Sequence, residues 1–131
     1  MIVFLISLAL LTQKPTPQPQ SCPLEIAQFR YDGETQSRPG HATLKLTNTT
    51  SKTVKAAIMK LAAIDAVGDV RDFAVTPELE LTHAVKPGET RKATWDIHTP
   101  EMQKLKVWVN AVRFDDGTVW RDDGSHSCSK Q

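Results

Sequence analysis

The fold is decided by the stretch LKVWVNAVRFDDGTVW, which runs from Leu105 to Trp120. Up to Phe114 its apolar side chains occupy both faces of an extended chain, as in a central strand that is covered on both sides. Asp116-Gly117 is the strongest short hairpin signal in the sequence and predicts that Thr118 to Arg121 returns as a short last strand. The predicted faces of the central strand are Leu105, Val107, Val109 and Ala111 on one side and Trp108, Val112 and Phe114 on the other.

Strands with one buried face precede this hairpin. Residues 42–46 and 91–97 alternate between apolar and polar side chains, which is typical of half-buried strands. Leu24 to Tyr31 alternates as well, but its apolar set changes sides in the middle. This change predicts a bulge near Ala27 and Gln28.

The segment from Val54 to Val67 fits two structures. Its alanines and lysines favour a helix, and its apolar residues fit one helical face. However, Asp65-Ala-Val-Gly68 resembles a hairpin turn between Ile58 to Ile64 and Val70 to Phe73. Because strands lie on both sides of this segment, a meander closes more simply than an inserted helix, and we predict strands.

These segments predict an all-β fold, an antiparallel sandwich of about seven short strands. The order of turns and core positions resembles bacterial extracytoplasmic immunoglobulin-like domains, including FxLYD-type modules. The resemblance covers most of residues 24–121 and implies an immunoglobulin-like β-sandwich that binds or adheres and has no catalytic residues. It rests on Asn48-Thr-Thr, Asp65-x-x-Gly68, Pro87-Gly88-Glu89 and Val109-x-x-Val-x-Phe114-Asp-Asp-Gly-Thr-x-Trp120.

The first residues of the chain predict export. An uncharged apolar run from Ile2 to Leu11 is too short to span a bilayer and is typical of the centre of a signal peptide. We therefore interpret residues 1–13 as a signal peptide or short apolar leader, residues 14–21 as a Pro/Gln-rich spacer, and residues 22–131 as the folded domain. The expected location is periplasmic, cell-surface or secreted.

Two cysteines, Cys22 and Cys128, are expected to form a disulfide within the chain, because disulfides persist outside the cytoplasm. Such a link requires the tail to fold back along the domain. A different hypothesis is a cell-envelope metal-binding protein that uses Cys22, His126 and Cys128 with reduced thiols. Asp-Asp-Gly occurs at 115–117 and 122–124 and suggests calcium, but tight turns explain both copies. We predict no metal and no cofactor.

Catalysis and nucleic-acid binding find little support in the residues. The histidines lie in different segments with no surrounding catalytic motif, so we predict that the protein is not an enzyme. A formal net charge of +1 gives no long-range field to attract nucleic acid, and we expect no membrane span beyond the leader.

The candidate binding surface is Trp120 with Arg113 and Arg121 across the hairpin. Trp120 lies on a short terminal strand, where we expect it to be partly exposed, whereas Trp95 and Trp108 are expected in the core. An exposed tryptophan anchors a protein partner or stacks on a sugar. The predicted function is therefore an exported binding or structural module for a protein or glycan at the cell surface, with carbohydrate binding through Trp120 as an alternative.

Overall fold

A computed structural model of the chain describes residues 21–33, 36–71, 78–97 and 104–131. The predicted leader and all of the spacer except Ser21 lie outside these residues. The strands are β1 (Leu24–Asp32), β2 (Gly40–Asn48), β3 (Val54–Ile64), β4 (Val70–Arg71), β5 (Glu78–Leu81), β6 (Thr90–Ile97), β7 (Lys104–Phe114), β8 (Val119–Arg121) and β9 (Ser129–Lys130).

The strands pair in two antiparallel sheets that share one core. The three-stranded sheet has the order β1-β2-β6, and the six-stranded sheet has the order β4-β3-β7-β8. Strand β5 joins β3 on the same side as β4, and β9 joins β7 on the same side as β8. The all-β antiparallel sandwich is confirmed. Strand β9 was not predicted, and β5 lies in the segment from Ala74 to Lys86, which the sequence leaves open between a strand and a loop. The core of the sandwich includes Leu24, Ile26, Ala42, Leu44, Leu46, Val54, Met59, Leu61, Leu79, Leu81, Ile97 and Val107.

The ambiguous segment is a strand, as predicted. Strand β3 pairs with β7 along its whole length, from Val54 to Ile64. It then turns through Asp65 to Gly68, where the Gly68 amide donates to the Asp65 carbonyl and Gly68 has a φ of 88°. Strands β5 and β7 lie on either side of β3 and form hydrogen bonds with its backbone amides and carbonyls. This pairing outweighs the helical propensity of the alanines and lysines in β3.

Three register shifts interrupt the pairing of the described strands: one in β1 and two between β3 and β7, of which one lies between Val54 and Ala56. The predicted bulge in β1 is confirmed, because the pairing with β2 shifts between Ile26 and Gln28. A second bulge was not predicted: Ile58 pairs with Ala111 and Met59 with Val109, which leaves Asn110 as an extra residue in β7. The predicted faces of β7 were therefore wrong beyond that point. Val107, Val109, Val112 and Phe114 all belong to the core.

The two long sides of the sandwich are closed differently. On one side the Trp95 indole N–H of β6 donates to the Glu80 carbonyl of β5 at 3.0 Å. On the other side the predicted disulfide joins Cys22 to Cys128, with Cα atoms 5.8 Å apart across a sequence separation of 106 residues. The tail folds back as predicted, and β9 pairs with β7 beside this link.

One polar side chain lies in the core. The Asn48 amide is 1% exposed and donates to the carbonyls of Lys52 and Val85 at 2.7 and 2.9 Å. Its oxygen accepts from the backbone and hydroxyl of Thr50. These bonds fix the turn between β2 and β3 and explain why the first residue of Asn48-Thr-Thr is an asparagine.

Candidate functional site

Trp120 is a core residue, and the prediction that it is partly exposed was wrong. Its exposed fraction is 8%, and it packs in the shared core. The hairpin pairs Phe114 with Thr118 and therefore Val112 with Trp120. Because cross-strand partners point to the same face and Val112 is fully buried, Trp120 follows it inward. Trp120 thus provides no exposed ring for a sugar.

The two predicted arginines lie on the opposite face. Arg113 is paired with Val119, and Arg121 is paired with Ala111. Both arginines are exposed, since they alternate with core residues along their strands. The candidate surface therefore separates into a structural tryptophan inside and two arginines outside.

A shallow groove of about 200 Å³ lies between these arginines and the strands beside them. The register places Glu80, Ile58, Ala111 and Arg121 in one row across four strands. Two residues further along the strands, the next row on the same outer face contains Ala56, Arg113 and Val119. We call this depression the outer groove: its floor is Ala56, Ile58 and Ala111, one wall is Arg113, Val119 and Arg121, and Glu80 bounds the far end.

Charge is unbalanced at the arginine wall. Neither Arg113 nor Arg121 forms an ion pair with any residue that the structure describes, whereas Lys60 on the same face lies 4.0 Å from Glu78. The two arginines are diagonal cross-strand neighbours, with Cα atoms at roughly 7–8 Å. Like charges at this spacing repel each other, and a bound anion relieves that repulsion. Guanidinium groups also bind carboxylates through two parallel hydrogen bonds.

The tail covers Trp108 on the same face. The His126 ring stacks on Trp108 with centroids 4.0 Å apart, and its Nδ1 lies 3.1 Å from the Lys106 ammonium. His126 has a φ of 51°, and its amide donates to the Asp122 carboxylate. Trp108 is buried, as predicted, but by this tail rather than in the main core.

The structure contradicts the metal hypothesis built on Cys22, His126 and Cys128. The two sulfurs are bonded to each other, and the histidine nitrogen faces an ammonium group. Within the described ranges, no group of three or more His, Cys, Asp or Glu side chains is placed to hold a metal ion. Both Asp-Asp-Gly copies cap their own turns, with Asp116 accepting from the Thr118 amide and Asp123 from the Ser125 amide.

A second cleft, of about 450 Å³, lies at the pole where the β2–β3 and β7–β8 turns meet. Lys52 lines it, and its ammonium lies 2.8 Å from the Asp116 carboxylate. That hydrogen bond, followed by those from the Thr118 hydroxyl and amide, holds the pKa of Asp116 far below its ordinary range. Lys52 and Asp116 therefore pair with each other, whereas Arg113 and Arg121 pair with no acidic residue in the described part of the chain.

The histidines remain apart in the fold. His41 on β2 lies 2.9 Å from Asp96 on β6, His83 lies between β5 and β6, and His126 lies in the tail. His98 lies outside the described residues. The described part of the chain has no helix of the length and apolarity needed to cross a membrane.

Comparison with known proteins supports the fold. No protein-family model and no curated protein matches the chain. An X-ray structure of a hypothetical protein from Peptoclostridium difficile 630 matches with a TM-score of 0.53 and 15% identity, over 79% of this chain and 88% of that chain. A Northeast Structural Genomics Consortium target matches with a TM-score of 0.42 and 15% identity, over 82% and 91%. The first likeness shows the sandwich fold alone.

Proposed function

We propose that the protein is an exported, non-catalytic binding module that contacts its partner through the outer groove. The observation that carries this proposal is the pair of exposed arginines, Arg113 and Arg121, which stand beside an apolar floor without an ion pair to any described residue. An apolar floor with a few converging polar groups is the usual composition of a binding site.

Two further observations support the class of protein. The disulfide between Cys22 and Cys128 favours an oxidising compartment, which agrees with the predicted leader. The strand order supports an immunoglobulin-like assignment. In that fold the first, second and fifth strands share one sheet, and the third and the last two share the other. Here β1, β2 and β6 form one sheet, and β3, β7 and β8 belong to the other.

Arrays of peptides and glycans, incubated with the full chain, test this proposal. The double variant Arg113→Gln/Arg121→Gln removes both charges, and Arg30→Gln removes an exposed charge from β1 of the other sheet as a matched control. We expect ligands that bind the natural chain and the control to lose most of their signal with the double variant. Unchanged binding by the double variant would contradict the proposal.

A further inference from the structure

We propose that the partner in the outer groove is an acidic polypeptide segment, which adds as a strand to the free edge of β8 with two carboxylates spaced two residues apart. This inference rests on the proposed function and specifies its ligand. It follows from the backbone of β8, from the side chains beside that edge, and from the lack of aromatic side chains in the described lining of the groove.

The backbone of β8 has one unused edge in the described structure. The Phe114 amide donates to the Thr118 carbonyl, and the Asp122 amide donates to the Asn110 carbonyl. Because hydrogen-bonded pairs alternate along an antiparallel ladder, Trp120 also directs its backbone groups toward β7. Val119 and Arg121 therefore direct theirs away from β7, and no described strand pairs with them there. An extended peptide can use these groups as a new ladder.

The side chains beside this edge select acidic residues. In a strand added to β8, the residues opposite Val119 and Arg121 point to the outer face. The first reaches Arg113, which stands behind the smaller Val119, and the second lies directly opposite Arg121. Each position thus places a carboxylate against a guanidinium, so the preferred segment carries acids at alternate residues. Val119 is 49% exposed, and an added strand covers it.

Two other occupants fit less well. Among the described residues, the lining of the outer groove is aliphatic and charged and includes no aromatic side chain on which a sugar ring stacks. A second copy of this chain, paired edge to edge through β8, brings Arg113 and Arg121 of both copies together. Like charges across strands are destabilising, so self-association is disfavoured.

The test uses a fluorescent peptide of alternating glutamate and valine, with blocked ends, and measures its binding to the full chain by anisotropy at low salt. Two matched peptides isolate the two contributions: one has glutamine for glutamate, and one is N-methylated at alternate backbone nitrogens. We expect each change to weaken binding at least about tenfold, because charge-assisted and backbone hydrogen bonds are lost separately. Amide exchange at Val119 and Arg121 is expected to slow on binding.

Variants of the chain complete the design. Arg121→Gln removes one charge, and Val119→Pro removes an outward N–H that the pairing with β7 does not use. We expect both to reduce binding about tenfold or more, whereas Arg30→Gln binds normally. Unchanged circular dichroism shows that each variant folds. Val119→Thr keeps the N–H, is expected to bind normally and serves as the matched control for Val119→Pro. If the proline variant does not fold, the N-methylated peptide tests the backbone hydrogen bonds.

The remaining outcomes separate this inference from the proposed function. If binding needs the arginines but tolerates N-methylation and leaves the amides unprotected, carboxylates bind without strand addition and this inference fails. If polygalacturonate binds in an arginine-dependent way and the acidic peptide does not bind, the ligand is not a polypeptide and this inference fails. The outer groove then remains the proposed binding site. If no peptide or glycan depends on Arg113 and Arg121, both proposals fail.

Discussion

The inner and outer faces of the six-stranded sheet are built from alternating residues of the same strands, but they have different physical roles. The inner row through Val112 and Trp120 is closed by the three-stranded sheet. The outer row through Ala111 and Arg121 is open, and Arg121 forms no ion pair with a residue that the structure describes. A step of one residue along β8 therefore separates a core side chain, Trp120, from Arg121 in the proposed binding groove. Substitutions on the two faces test this separation, and their expected effects decrease in the order given.

Removing the disulfide opens the side of the sandwich that Cys22 and Cys128 close. Cys22→Ser/Cys128→Ser is expected to lower the free energy of unfolding by roughly 4 to 5 kcal/mol, because the link closes a very long loop. Urea unfolding of the oxidised chain and the variant measures this difference. Release of the tail also uncovers Trp108, so its fluorescence shifts to the red. An unchanged unfolding midpoint would show that the tail is held by other contacts.

Trp120→Ala is expected to cost about 3 to 5 kcal/mol of unfolding free energy, since it empties a large core position. The matched change on the next residue, Arg121→Ala, alters an exposed side chain and is expected to stay within about 0.5 kcal/mol. Urea unfolding measures both variants. Similar costs for the two would mean that β8 does not divide its residues between the two faces.

Met59 and Ile58 make the same comparison on β3. Met59 is fully buried, and Met59→Ala is expected to cost about 2 to 5 kcal/mol. Ile58 lies on the floor of the outer groove and is only half-buried, so Ile58→Ala is expected to cost less than half as much. Thermal and urea unfolding measure the difference. The reverse order would contradict the register of β3 against β7.

His126→Ala tests the part of the outer face that the tail covers. Loss of the ring stacked on Trp108 is expected to cost about 0.5 to 1.5 kcal/mol. Binding at the outer groove is expected to persist, because His126 does not line it. Urea unfolding measures the cost, and the acidic peptide measures binding. Loss of that binding would extend the contact surface over the tail.

The smallest effect concerns Asp116, at the pole rather than on either face. Its pKa lies below the ordinary value of 3.8, mainly because Lys52 donates a hydrogen bond to it. Since the folded-state pKa is the lower one, the contribution of this carboxylate is complete above the ordinary value and is lost as the pH falls through the folded pKa. Carboxyl ¹³C titration is expected to show Asp116 still ionised at pH 3, and Lys52→Gln raises its pKa. An ordinary titration in the natural chain would exclude the ion pair.

Much of the fold follows from the sequence because alternation, turns and the hairpin are local signals. The extra residue at Asn110 has no such signal, since its flanking pattern is apolar on both faces. The face of Trp120 does not follow from the Asp-Gly pair, because a two-residue loop at Asp116-Gly117 would place Trp120 opposite Arg113. The structure has a three-residue loop, which pairs Phe114 with Thr118 and therefore Trp120 with Val112. The outer groove likewise depends on the register among β5, β3, β7 and β8, which residues distant in sequence determine together.

The most direct test of the separation between the faces is an amide chemical-shift map of the full chain with the alternating glutamate and valine peptide. Shifts are expected to concentrate at Arg113, Val119 and Arg121, which form the arginine wall of the outer groove, and at Ala111 on its floor. Shifts confined to the pole around Lys52 and Asp116, or no shifts at millimolar peptide, would contradict this expectation.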